Sequence, residues 1–218
     1  MSYRAVVFDL WQTLAVFDVA AARETNRRMA LCLGVSDERF VEAWNAFSLL
    51  RSTGPLLAAA RAVCTELGVE DERAEELVAI RRADMGRTLA LRADAEPTVA
   101  ELRRRGFELG LITICSEDTA EAWEETPIAR SFGATVFSCL VALCKPDRRV
   151  YELACARLGV EPGECLFVGD GANEELPGAV RAGMDAVQLR VPGEERAAGA
   201  ESWTGPVITS LGEVLALV

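Results

Sequence analysis

The stretch AVVFDLWQTL (residues 5–14) decides the fold, because it places one carboxylate at the end of a short apolar run. Val6, Val7 and Phe8 precede Asp9, and the residue two positions beyond Asp9 is Trp11. A run of this length and composition is typical of a strand that is buried on both faces of a parallel sheet. Such a strand would deliver Asp9 to the sheet edge at which α/β proteins bind their ligands.

Four further β-like runs and four helical patterns extend this unit into an alternating chain. The runs are Phe107–Thr113, Thr135–Ser138, Cys165–Asp170 and Asp185–Leu189, and the helical patterns are Glu96–Arg105, Glu117–Glu124, Asp147–Leu158 and Glu174–Ala182. Strands that alternate with helices indicate a parallel sheet covered on both faces. We therefore predict an α/β protein with a Rossmann-like, doubly wound parallel sheet.

Residues 15–92 interrupt this alternation, because they contain only helix-like material in roughly four amphipathic stretches. The stretches are separated at GVSD, RSTGP and GVED. A crossover between neighbouring parallel strands needs far fewer residues. We therefore predict a helical cap at 15–92, inserted into a catalytic core formed by residues 1–14 and 93–218. Its position after the first strand would place the cap over the carboxyl edge of the sheet.

The composition excludes several classes of function. The 218 residues carry a formal net charge of −11 and include no histidine. Nucleic-acid binding relies on clusters of Lys and Arg, and Ser-His-Asp catalysis and imidazole zinc sites require histidine. No run approaches the ~20 apolar residues of a membrane span, and none of the seven cysteines form a CxxC pair. We expect a cytoplasmic monomer or homodimer that binds a small anionic metabolite and neither nucleic acid nor membrane.

Four polar side chains follow the ends of apolar runs or stand in the loops beyond them: Asp9, Thr113, Lys145 and Asp170. Each type has a common structural role on its own, as a turn former, a strand residue or a surface charge. Together, however, they would converge at one crevice of a doubly wound sheet. One carboxylate can attack an electrophile, and the second can share Mg²⁺ with it. The hydroxyl and the ammonium can bind the anionic oxygens of a phosphoryl group.

The order and spacing of these residues resemble the four motifs of the haloacid dehalogenase superfamily over the whole chain. VVFDLWQTL resembles the first motif, LGLITICSED the second, CKPD the third and GDGANEE the fourth. The resemblance implies that Asp9 is the nucleophile and that Thr113 and Lys145 are catalytic and bind the substrate beside Trp11. It also implies a Mg²⁺ site formed by Asp9, the backbone carbonyl of Trp11, Asp170 and Glu174. A helical cap between the first two motifs is the arrangement that the family uses.

Trp11 departs from the phosphatases of this superfamily, which carry a second Asp at that position. That Asp protonates the leaving group and then activates water, whereas an indole only donates a hydrogen bond. Loss of a general acid/base typically costs about 10²–10⁴ in rate. Glu117 and Asp118, which follow Thr113, are candidates to replace it. Without a replacement, the enzyme should favour good leaving groups such as acyl phosphates.

Three functions therefore stay open at this point. The first is Mg²⁺-dependent, phosphatase-type hydrolysis of a small phosphorylated metabolite through a covalent Asp9 intermediate. The second is 2-haloacid dehalogenation, because those relatives carry an aromatic residue at the Trp11 position and attack carbon without Mg²⁺. They usually have Asn where this chain has Ile114, however, and they tend to lose the GD pair that is present here as Gly169–Asp170. The third is a non-hydrolytic ligand-binding or biosynthetic role.

Specificity should reside in the cap. Its arginines at positions 23, 27, 28 and 51 are candidates to reach an anionic substrate, although arginines on a helical insertion are more commonly solvated. Trp44 and Phe47, three residues apart, are expected to pack in the interior of the cap rather than against a substrate.

Overall fold

A six-stranded parallel sheet forms the centre of the computed structural model, which describes residues 3–194 and 199–218. The strands in these residues are β1 (Ala5–Phe8), β2 (Ala15–Phe17), β3 (Leu89–Leu91), β4 (Glu108–Thr113), β5 (Ala134–Phe137), β6 (Cys165–Gly169), β7 (Asp185–Leu189) and β8 (Val207–Ile208). The sheet has the order β5-β4-β1-β6-β7-β8, and β2 pairs with β3 separately. All five predicted strands are present, and the predicted α/β fold is confirmed.

Helices cover both faces of the sheet and fill the segment between β2 and β3. They are α1 (Val19–Leu33), α2 (Asp37–Ala46), α3 (Ser48–Thr53), α4 (Leu56–Leu67), α5 (Ala74–Thr88), α6 (Ala95–Arg104), α7 (Glu117–Glu124), α8 (Ser138–Val141), α9 (Arg148–Leu158) and α10 (Glu175–Ala182). Short 3₁₀ turns lie at Asp71–Arg73, Ala129–Ser131, Pro162–Glu164, Ala172–Glu174, Ala200–Ser202 and Leu211–Ala216. Helix α9 ends at Leu158, as the helical pattern Asp147–Leu158 predicts, and Gly159 follows it with a left-handed φ of 67°.

The strand order reverses at β1, which lies between β4 and β6. Phe8 pairs with Leu111 of β4 on one side and with Val168 of β6 on the other. In chain order, β4 and β5 are added on one side of β1, and β6, β7 and β8 are then added on the other side. Ligand sites of open α/β sheets lie at such a reversal, beyond the carboxyl ends of the strands. Asp9 directly follows β1 at this position.

The apolar run of β1 is explained by burial on both of its faces. Val6 and Phe8 belong to the core that includes residues of α6 and α7. Ala5 and Val7 belong to the opposite core, with residues of α9 and α10. All four side chains are fully buried. Burying a side chain such as Phe8 stabilises the fold by about 1.5–3 kcal/mol, so a polar substitution anywhere in β1 would remove the support beneath Asp9.

Helices α1–α5, together with β2 and β3, form what we call the helical insertion. Met29, Phe40 and Leu77 are buried in a core of its own. The prediction that residues 15–92 contain only helical material is wrong at both ends, where β2 and β3 pair antiparallel. Each strand has three residues, too few to establish an alternating pattern, and the partner is some 70 residues away. The proposed division at 15–92 into cap and core stays a prediction.

Two general features of the chain concern the length of its apolar helices and the state of its cysteines. Among the residues with described positions, no helix is both long and apolar enough to cross a bilayer. All seven cysteines are free thiols; five of them are buried, whereas Cys32 and Cys144 are partly exposed.

Candidate active site

The Lys145 ammonium lies between two buried carboxylates at the carboxyl edge of the sheet. Asp9 follows β1, Lys145 belongs to the loop before α9, and Glu175 is the first residue of α10. The Nζ atom of Lys145 donates to Oδ1 of Asp9 and, at 2.5 Å, to Oε2 of Glu175. The other carboxylate oxygen of Glu175 accepts from the backbone N–H of Gly171 at 2.9 Å. Glu175 therefore anchors Lys145, and Lys145 in turn orients Asp9.

Burial and charge act against each other within this group. Burial raises the pKa of Asp9; the Lys145 ammonium opposes this shift, and the neighbouring Asp170 adds to it. Burial likewise raises the pKa of Glu175 well above its ordinary range, against the effect of Lys145. For Lys145, burial alone would lower the pKa, but the two carboxylates outweigh it and raise the pKa. Lys145 is therefore a permanent cation near neutral pH.

Asp170 completes an acidic cluster that fits a hard divalent cation. One oxygen from each of Asp9, Asp170 and Glu175 lies within 4.8 Å of the other two. Within the described residues, Asp9 and Glu175 contact one ammonium, that of Lys145, and Asp170 forms no ion pair, so the three carboxylates in their ionised forms would carry two negative charges in excess of it. Mg²⁺ prefers oxygen ligands, carboxylates above all, and its charge would balance this excess. The residues present therefore fit Mg²⁺.

The structure brings Glu175 into this cluster, which corrects the predicted ligand Glu174. The side chain of Glu174 is 71% exposed, and its carboxylate lies 3.8 Å from Arg181. Asn173 and Glu174 both adopt left-handed backbone with φ of 53°, in the turn before α10. This turn changes the direction of the chain, so that the second of the two consecutive acids, Glu175, is the buried one.

Thr113 ends β4, the strand beside β1, and its side chain is 1% exposed. Its hydroxyl oxygen has no hydrogen-bond partner in the described part of the chain. A buried hydroxyl without a partner typically costs about 1–3 kcal/mol, and such groups are often reserved for a ligand. Thr113 is thus a donor available at the predicted position beside Asp9.

Trp11 is half-buried and packs edge-on against Phe17 of β2, with ring centroids 5.3 Å apart. The next residue, Gln12, has a left-handed φ of 57°, a conformation that favours glycine. Its backbone N–H donates to the carbonyl of Ala15 at 2.7 Å, and its own carbonyl accepts from Arg92 at 3.0 Å. These bonds hold the loop after β1 so that the indole faces the helical insertion.

A cavity of about 390 Å³ lies between the helical insertion and the loops after β1 and β4. Trp11, two residues after Asp9, and Ile114, which directly follows Thr113, line it on the core side. On the other side it is lined by aromatic and basic side chains from the insertion: Phe17, Trp44, Arg23, Arg51 and Arg81. Within the described ranges, no Asp or Glu lines the cavity, although the chain has a net charge of −11.

Neither predicted substitute for the missing second Asp points a free carboxyl group at Asp9. Oε2 of Glu117 accepts from the backbone N–H of Leu56 at 2.9 Å, at the start of α4. Asp118 is fully buried, with its Oδ2 atom 2.7 Å from Nη2 of Arg81. Glu117 therefore ties α7 to the helical insertion, and Asp118 neutralises a guanidinium.

Two features of this region were not predicted from the sequence: the position of Arg81 and the inward orientation of the Glu175 side chain. The predicted arginines divide into three groups. Arg23 and Arg51 line the cavity, Arg28 pairs with the buried Asp84 at 2.5 Å, and Arg27 is exposed. Trp44 is 5% exposed and packs in the insertion core as predicted, and it also lines the cavity. A basic residue on α5 carried no local signal, because only the packing of α5 directs Arg81 toward Trp44.

Comparison with known proteins agrees with this fold. The family model described as haloacid dehalogenase-like hydrolase matches residues 3–183. The chain belongs to this family of hydrolases, as its motifs indicated.

Individual relatives carry more than one activity in their names. The chain is 29% identical over 205 residues to phosphatase MT3486 of Mycobacterium tuberculosis (strain CDC 1551 / Oshkosh), covering 90% of this chain and 91% of that one. It is 37% identical over 100 residues to glyceraldehyde 3-phosphate phosphatase of Methanopyrus kandleri, but this match covers only 44% of this chain and 42% of the relative. The structure of a 2-haloacid dehalogenase from Pseudomonas syringae pv. Tomato DC3000 shares the fold, with a TM-score of 0.76, 22% identity and coverage of 99% and 97%.

Proposed function

We propose that this hydrolase is a Mg²⁺-dependent phosphatase that acts on small phosphorylated metabolites through a covalent intermediate on Asp9. The observation that carries the proposal is the Asp170 carboxylate, which shares the cluster with Asp9 and Glu175 and leaves excess negative charge for a cation. A site that attacks an uncharged carbon gains nothing from this excess. A site that must bring an anionic phosphoryl group against a carboxylate needs a cation between them.

In the first step, a carboxylate oxygen of Asp9 forms a bond to phosphorus while the bond from phosphorus to the leaving oxygen breaks. The leaving group departs with the electron pair. Lys145 holds the Asp9 carboxylate in one orientation, and Lys145 and the Thr113 hydroxyl are the donors for the phosphoryl oxygens. Asp9 and Asp170, in the cluster with Glu175 and beside the predicted Trp11 carbonyl, would hold Mg²⁺, which would neutralise charge between the nucleophile and the phosphoryl group.

In the second step, water attacks the phosphorus atom of the Asp9 phosphate, and the Asp9 oxygen leaves with its electron pair. The water proton passes to the solvent. Because the Asp9 phosphate is itself an acyl phosphate, its carboxylate leaves without protonation. The rate of the first step then depends on how stable the leaving group is as an anion, because Trp11 supplies no proton to it. We therefore propose that acyl phosphates, whose leaving groups are carboxylates, are the preferred substrates.

Phosphate release from acetyl phosphate tests this function. Wild-type protein should release phosphate only with Mg²⁺, and Asp9→Asn should release none. Asp185→Asn is the matched control, because Asp185 begins β7 at the opposite edge of the sheet, where its side chain accepts a hydrogen bond from Tyr3. Absence of Mg²⁺-dependent release by wild-type protein, or equal release by Asp9→Asn, would refute the proposal.

Hydrolysis of 2-haloacids is the second candidate, and Trp11 is the observation that favours it. An apolar ring pair, Trp11 with Phe17, borders the cavity next to the nucleophile. Release of chloride from 2-chloropropionate by wild-type protein in EDTA, with loss of release in Asp9→Asn, would replace the phosphatase proposal. We further propose a cytoplasmic location, which the seven free thiols support.

A further inference from the structure

The cavity beside the site contains a guanidinium charge that the chain itself does not neutralise. Arg51 of α3 and Arg81 of α5 both lie over the ring of Trp44 from α2, with their Cζ atoms 4.2 Å and 5.5 Å from its centroid. Arg81 forms an ion pair with Asp118. Arg51 donates to the backbone carbonyl of Trp44 and forms no ion pair within residues 3–194 and 199–218. Of the two cations at the inner wall, one is therefore left for a ligand.

The position of Arg51 is fixed before any ligand arrives. Trp44 is 5% exposed, and its other neighbour is Phe40, which stacks on it with ring centroids 5.7 Å apart. The aromatic ring and the Trp44 carbonyl together hold the guanidinium at the cavity wall. A guanidinium that is held in place loses less side-chain entropy on binding an anion than a free surface arginine does.

The electrostatic environment of Arg51 favours an incoming anion. Burial, and next the positive charge of Arg81, lower the pKa of Arg51 to about 10, and Asp118 offsets only part of this. A negatively charged ligand group would relieve both effects. Arg51 is the guanidinium at the inner wall that forms no ion pair within the described residues, and a carboxylate carries the single negative charge that matches it; Arg23 adds positive charge elsewhere on the lining. Carboxylates also match the planar fork of a guanidinium in geometry.

We propose that Arg51, held on Trp44 beside Arg81, binds a carboxylate at the end of the substrate that is remote from the reacting phosphoryl group. This inference rests on the proposed function, because it assigns the phosphoryl end of the substrate to Asp9 and Lys145. It narrows the substrate class to small phosphorylated carboxylic acids. The apolar walls formed by Trp11 and Phe17 would contact the carbon chain between the two charged groups.

The test measures binding separately from catalysis. In an Asp9→Asn background with Mg²⁺, calorimetry compares ethyl, propyl and butyl phosphate with carboxymethyl, carboxyethyl and carboxypropyl phosphate of equal chain length. At least one carboxylate-bearing probe should bind more tightly than its alkyl partner. Adding Arg51→Gln should reduce this preference by about 10- to 100-fold, the effect expected for one charged hydrogen-bonding pair. Arg51→Lys should retain part of it, because the charge is kept and the planar fork is lost.

Arg39→Gln is the matched control, because Arg39 is an exposed arginine of α2 that does not line the cavity. It should leave the preference unchanged. Equal binding of both members of every pair, or a preference that persists in Arg51→Gln, overturns the inference and leaves the phosphoryl site intact. If neither kind of phosphate binds, the proposed function fails and the inference fails with it. Arg51→Lys keeps the test decisive if Arg51→Gln does not fold.

Discussion

Replacing Lys145 by Met should lower the free energy of unfolding by about 3–5 kcal/mol in EDTA, because it leaves two buried carboxylates without their shared cation. The Lys145 side chain is 3% exposed, and its Nζ atom lies 2.5 Å from Oε2 of Glu175 and contacts Asp9 as well. At that distance an effective dielectric constant of about 20 gives roughly 6–7 kcal/mol of attraction. The cost of desolvating the ammonium cancels part of it, so the net loss is smaller than the Coulomb energy.

Urea unfolding followed by the fluorescence of the four tryptophans would measure this loss. Arg148→Met is the control, since that arginine is 65% exposed and its pair with Glu152 should contribute only about 0–1 kcal/mol. Adding Glu175→Gln to Lys145→Met should recover about 1 kcal/mol or more, because Gln keeps an acceptor for Gly171 and removes a buried charge. The reasoning is refuted if Lys145→Met costs no more than the control, or if Glu175→Gln increases the loss.

Three further predictions rest on individual side chains. Burial would raise the pKa of Asp84, but hydrogen bonds from two arginines and Thr25 outweigh burial and lower the pKa. The ionised carboxylate therefore stabilises the fold above pH ~4, and this stabilisation is lost as the pH falls through the folded-state pKa. Asp84→Asn should therefore lower the melting temperature more at pH 7 than at pH 3, and equal shifts would contradict this. Thr113→Val should reduce kcat/KM for acetyl phosphate by about 10- to 100-fold. It should not lower the stability in urea, because the hydroxyl has no hydrogen-bond partner to lose within the described residues. A stability loss as large as the activity loss would argue for a structural role. Trp11→Asp should raise the turnover of alkyl phosphates, by at most about 10²–10⁴, and a rate that stays at the wild-type value would show that position 11 does not limit it.

The residues that the sequence predicts best are those whose positions follow from strand topology. Asp9, Thr113 and Asp170 end or follow strands β1, β4 and β6, which are neighbours in the sheet. In a parallel sheet, the carboxyl ends of neighbouring strands meet by construction, so recognition of each strand is sufficient. Lys145 is harder to place, because it stands in the loop before α9 and not at the end of a strand.

The family resemblance implies Glu174 as the ligand, and the predicted helical pattern Glu174–Ala182 runs through both Glu174 and Glu175. Asn173 and Glu174 have left-handed backbone, which interrupts the helical periodicity before α10. No local signal in GDGANEE predicts this conformation. The cavity was missed for a similar reason. Amphipathic patterns predict which face of each helix is buried, but they do not predict that α2, α3 and α5 bring Trp44, Arg51 and Arg81 together.

The tryptophan in the first motif and the basic cavity have a common chemical consequence. Without a carboxyl group at position 11, and with no acid on the described cavity walls, the leaving group receives no proton from the side chains around it. It must therefore be stable as an anion when it departs, as a carboxylate is. The Arg51 guanidinium would meanwhile bind a second carboxylate at the end of the substrate that is remote from the leaving group. On the proposed function, the absence of an acid and the presence of an unneutralised guanidinium would thus favour the same substrate, an acyl phosphate that carries a second carboxylate.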